Sequence, residues 1–94
     1  MNYHFIGWCQ EGNSDKVWVC IQLKDRAWAT VWGRRGKKLQ HKVLTDTSSW
    51  DIEKLETSKS KKGYRSIQKF DLDKVYPEFE QDLEKTTMWA MLQA

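Results

Sequence analysis

The chain has a single proline and no run approaching about 18 consecutive apolar residues, so it offers no membrane-crossing helix and no membrane partner is expected. Its start, Met1-Asn2-Tyr3-His4, lacks the basic residues and apolar stretch of a secretory signal, which sets the expectation of a cytoplasmic protein. Cysteine is scarce. Cys9 and Cys20 make neither a disulfide framework nor a zinc spacing, and adding His4 and His41 gives only an irregular set of ligands. Free buried thiols are expected, with no metal and no cofactor, although a hairpin about Asn13 would bring the two cysteines nearly opposite each other. No Ser, Cys, His or carboxylate cluster has catalytic spacing, so a non-enzymatic protein is expected. Repeats and low-complexity tracts are missing as well, and 94 residues leave room for one modest core.

What the chain does have is aromatic mass and unevenly placed charge. Six Trp, three Tyr and three Phe compensate for few aliphatics, since each aromatic buries roughly 150–250 Å². The net charge is only +3, yet residues 33–45 hold Arg34, Arg35, Lys37, Lys38 and Lys42 with no acid. Residues 58–69 form a second acid-free block with Lys59, Lys61, Lys62, Arg65 and Lys69. Two such blocks with aromatics between them favour a polyanion footprint over a merely solvated face.

Taken in order, Tyr3 to Gln10 alternates His4, Ile6 and Trp8 against Tyr3, Phe5 and Cys9, a strand pattern in which Gly7 hints at a bulge or bend. After the turn residues Glu11 to Asp15, Val17 to Leu23 place Val17, Val19, Ile21 and Leu23 on one face. Lys24-Asp25-Arg26 reads as a hairpin loop into Ala27 to Trp32, where Trp28, Thr30 and Trp32 share a side. Beyond a turn from Gly33 to Lys38, Leu39 to Leu44 pairs back, with Leu39, His41 and Val43 alternating against Gln40, Lys42 and Leu44. Ser48-Ser49-Trp50-Asp51 fits a capping box loosely and opens a helix from about Ser49 to Ser60 that buries Ile52 and Leu55, with Trp50 at its start. Cations in the last turn and Gly63 at the C′ position end it, and Tyr64 anchors the returning chain. From Asp71 the character changes to six acids followed by Met88-Trp89-Ala90-Met91-Leu92. Pro77 suits the first position of a second helix from about Pro77 to Leu92, with Leu72 to Tyr76 as linker. The class is α+β, with residues 1–70 as the domain and 71–94 as an acidic, then apolar, helical extension packed on it.

Three pieces resemble the WGR domain, a family named for a Trp-Gly-Arg motif and found in poly(ADP-ribose) polymerases and small bacterial proteins. Asp15-Lys16-Val17-Trp18-Val19 is similar to the family's opening strand, Trp32-Gly33-Arg34-Arg35-Gly36 with Gln40 to its signature, and Lys59 with Lys62-Gly63-Tyr64 to its helix exit. The likeness spans Tyr3 to Ile67. It departs from the family at Arg35, where an aliphatic residue is usual, and at Leu39, where glycine is usual. The resemblance implies a small twisted antiparallel sheet of about four to five strands with one helix packed across it. It also implies nucleic-acid binding, with Trp32 stacking on sugar and Arg34 either touching phosphate or pinning the loop to a partner surface.

The residues themselves support part of this. An indole face stacks on a base or sugar for roughly 1–3 kcal/mol whatever the sequence, while cations supply salt-sensitive affinity. Trp32 therefore has two readings, a stacking plate or a core plug, and Gly33 and Gly36 serve the turn. The expected contact set is Trp32, Arg34, Arg35, Lys37, Lys38 and Lys42, with Lys61, Lys62 and Arg65 secondary. DNA is favoured over RNA, with low sequence specificity. The alternative is a protein-interaction or adaptor module, or self-association, through the Met/Trp-rich C-terminal helix.

Overall fold

The computed structural model describes residues 2–86. Strands β1 (Asn2–Cys9), β2 (Lys16–Lys24), β3 (Ala27–Arg34), β4 (Gln40–Leu44) and β5 (Arg65–Ser66) form one antiparallel sheet of order β4-β3-β2-β1-β5. Helix α1 (Ser49–Lys61) lies between β4 and β5 in sequence, and the short helices α2 (Lys69–Val75) and α3 (Phe79–Glu84) follow. The fold is α+β, as the patterning implied, and no described helix is long and apolar enough to cross a membrane.

Strand alternation divides the aromatics and aliphatics between two faces. On one, Ile6, Val17, Val19, Ile21, Ala29, Val31 and Leu39 pack with Leu72, Tyr76, Phe79 and Leu83 from α2, α3 and their connection. On the other, Trp18, Cys20 and Trp28 meet Ile52, with Phe5, Trp32, Leu44, Leu55 and Tyr64 partly buried around them. Covering both faces makes Val17 to Ile21 buried at every position, which is why β2 reads as a near-continuous apolar run.

The cap of α1 forms as read: Ser48 Oγ accepts from the Asp51 amide at 3.2 Å and donates to the Asp51 carboxylate at 2.9 Å. At the other end the Gly63 amide donates to Ser60 O and the Tyr64 amide to Lys59 O, the paired bonds of a Schellman turn. Trp50 departs from expectation. It is 64% exposed, lying on the outer side of α1 with the Lys54 ammonium 3.6 Å from its ring centroid.

Three further corrections concern register and the C-terminal part. The bulge in β1 falls at His4, between the pairs Tyr3↔Ile21 and Phe5↔Cys20, so His4 and Phe5 both serve the α1 face while Tyr3 and Ile6 serve the other. Gly7 instead makes room: a Cβ there would stand 2.9 Å from Phe5 Cε1 and 3.0 Å from Tyr64 Cβ. The cysteines are not opposite, since Cys9 pairs with Lys16 and Cys20 with Phe5, and both are buried free thiols. Finally, Leu72 to Tyr76 is no linker but the body of α2 and its cap, and the helix expected from Pro77 spans Phe79–Glu84, ending at the Lys85 cap. The Met88–Leu92 cluster lies outside the described residues.

Candidate nucleic-acid interface

Pairing across the sheet puts Lys16 opposite Arg34, Trp18 opposite Trp32, Trp32 opposite Gln40 and Thr30 opposite Lys42. All seven share the α1 face, because they keep the parity of Trp18 and Trp28. Between this end of the sheet and the last turns of α1 lies a slot of about 180 Å³, lined by Trp18, Thr30, Trp32, Lys42, Leu44, Leu55 and Lys59. Trp32 is half-buried at this slot, so it is neither a free plate nor a core plug: part of its surface packs on the Trp18 cluster and the rest faces solvent.

Two lysines lie near aromatic rings beside this slot. The Lys59 ammonium stands 5.7 Å from the Trp18 ring centroid, and Lys16 lies 5.6 Å from that of Tyr64. Burial lowers the Lys59 pKa, and repulsion from Lys62 and Lys16 lowers it further. Among the described residues none of Lys16, Arg34, Lys42, Lys59 and Lys62 makes an ion pair. Cations gathered around the half-buried Trp32 without ion-pair partners among the described residues carry an electrostatic cost that an arriving polyanion would relieve.

The sequence-derived contact set is thereby divided. Arg34 and Lys42 share the slot face with Trp32, and Lys62 couples to it through Lys59. Arg35 is otherwise engaged, with its guanidinium on Asp15 Oδ2 at 2.8 Å and on the Val75 carbonyl at 2.7 Å. Lys37 and Lys38 line a cleft with Asp82, Lys85 and Thr86, on the side of α3. Lys61 and Lys62 both border the outer groove of α1 with Trp50, Glu53 and Lys54, and Arg65, on the edge strand β5 farthest from β4, pairs with Trp8 of β1. Two cations were left out of the set: Lys16, whose parity with Trp18 was readable from the strand, and Lys59, which follows Ile52 and Leu55 at helical spacing.

The two departures from the WGR pattern have structural counterparts. Leu39 is buried, 3% exposed, in the core beneath α2 and α3, and Arg35 ties the signature loop to the end of α2. Of the two buried thiols, Cys20 has its pKa pushed up to about 12, by burial first and then by Glu56. Compared with known families, curated proteins and solved structures, the chain finds no match among any of the three.

Proposed function

We propose that this chain is a non-enzymatic nucleic-acid-binding module of WGR type, engaging DNA in preference to RNA with little sequence specificity. The observation that carries the reading is the group of five cations without ion pairs among the described residues at and beside the Trp18–Trp32 slot: Lys42 and Lys59 line it, Lys16 and Arg34 share its sheet face, and Lys62 lies near enough to Lys59 to lower its pKa. In this reading the cations track backbone phosphates, and the exposed part of Trp32 supplies a flat apolar surface for a base or sugar. The preference for DNA follows from the resemblance alone.

A group of five cations, each neutralising one phosphate, gives a log–log salt slope of about −4 to −5 on duplex DNA. The face presents a sheet end and a helix exit, not a helix free to enter the major groove, which favours ends, nicks or single strands over base-edge reading. Fluorescence anisotropy in low salt with duplex, nicked and single-stranded DNA and with RNA tests the proposal. Binding that weakens steeply with salt and with Lys42→Ala plus Lys59→Ala is expected; no binding to any of the four ligands overturns it.

A further inference from the structure

Elsewhere on the α1 face, a ring nitrogen of His4, the Cys20 thiol sulfur and a carboxylate oxygen of Glu56 all lie within 4.8 Å of one another. Each comes from a different element, β1, β2 and α1. The β1 bulge at His4 is what turns this side chain to the α1 face beside Cys20, and bulges recur where a side chain is re-aimed for function. The Trp28 ring meets the imidazole edge-on, centroids 4.9 Å apart, and holds its orientation. Glu56 is only 9% exposed and one turn beyond the fully buried Ile52, a position where an apolar residue would pack with less desolvation cost. Its partner is His4 Nδ1 at 2.6 Å, and the His4 side chain is 29% exposed, which opens the cluster to solvent on one side.

From this juxtaposition we infer a binding site for a borderline-soft divalent cation, Zn²⁺ foremost, held by Cys20, His4 and Glu56 with a fourth position open to water. One sulfur, one imidazole nitrogen and one carboxylate oxygen suit zinc, whereas magnesium and calcium favour all-oxygen sets. Bonds of about 2.0–2.3 Å arranged tetrahedrally separate ligand atoms by roughly 3.3–3.6 Å, so the cluster closes by an ångström or so and the His4–Glu56 contact opens by less. On binding, the Cys20 thiol gives up its proton to solvent, and the His4–Glu56 hydrogen bond is replaced by bonds from both side chains to the ion. The ion would clip α1 onto β1 and β2. The site stands apart from the nucleic-acid reading and uses none of its residues.

The test is titration of the reduced, metal-stripped full chain with Co²⁺ alone. The expected result is a thiolate-to-cobalt charge-transfer band that saturates at one equivalent, is discharged by Zn²⁺, is retained in Cys9→Ser and is lost in Cys20→Ser. Glu56→Gln, which keeps a hydrogen bond to His4, and His4→Gln should each weaken Co²⁺ binding by about tenfold or more, and they decide the matter if Cys20→Ser does not fold. A folded chain with no such band at millimolar Co²⁺ overturns the site. So does an undiminished band in Cys20→Ser, or parental affinity in both Glu56→Gln and His4→Gln.

Discussion

Arg35 grips Asp15 twice, its amide donating to the Asp15 carbonyl at 2.9 Å and its guanidinium meeting Asp15 Oδ2 at 2.8 Å. The same guanidinium reaches the Val75 carbonyl at 2.7 Å, and Asp15 also accepts from Trp8 Nε1 at 3.2 Å. The Trp-Gly-Arg turn, the β1–β2 turn and the end of α2 are thus joined at one side chain. Arg35→Ala is expected to lower unfolding stability by about 1 kcal/mol, because the pair is part-exposed and the hydrogen bond to Val75 carries most of the effect. Urea titration measures this. In anisotropy the same variant should lose less DNA affinity than Arg34→Ala.

The two sides of the signature loop should behave differently. Arg34→Ala and Lys42→Ala are each expected to weaken duplex binding and to reduce the salt slope by about one. Lys37→Ala with Lys38→Ala, on the α3 side, should change affinity less than either. Trp32→Ala should cost roughly 1–3 kcal/mol of binding while leaving the slope nearly unchanged, since stacking releases no counterions. Salt-dependent anisotropy distinguishes the three classes.

Lys59 is placed at a cost to folding. Its pKa in the folded chain is lowered, chiefly by burial and then by Lys62 and Lys16, so the protonated form is disfavoured relative to the unfolded chain. That destabilisation is fully present below the lowered folded value and disappears as pH rises through it toward the ordinary lysine value. Lys59→Gln is therefore expected to raise Tm at neutral pH, with the gain fading in alkaline solution, while DNA binding weakens. Thermal melts across the alkaline range give the sign.

Gly7→Ala tests the packing of β1 against the helix exit. The added methyl meets Phe5 Cε1 at 2.9 Å and Tyr64 Cβ at 3.0 Å, and the second is a backbone-proximal atom with little freedom to move. A loss of about 1–3 kcal/mol is expected from overpacking. Chemical denaturation of the variant checks it.

Much of this architecture was legible because its signals are local. Ser48 with Asp51 and Lys62 with Gly63 mark the ends of α1, and the alternation of Trp28, Thr30 and Trp32 marks a face. The bulge at His4 was not legible, because an extra residue leaves the short alternating pattern readable in either phase. Helix α2 has seven residues, too few for periodicity to separate it from a linker. The engagement of Arg35 was hidden for another reason: its Val75 partner stands forty residues away, and no spacing rule links them. The same distance effect hid the cluster of His4, Cys20 and Glu56, whose separations along the chain match no ligand motif.

The order of the strands gives the slot a gradient of mobility. Val17 to Ile21 are flanked by strands on both sides and covered on both faces, so their amides should exchange with solvent only when the whole domain opens. Lys42 sits on β4, an edge strand, where fraying alone suffices for exchange. Trp18 and Trp32, on the adjacent inner strands β2 and β3, should keep their spacing while the cation beside them shifts. A surface with a stiff aromatic floor and a compliant charged rim can follow an irregular phosphate backbone without surrendering its shape.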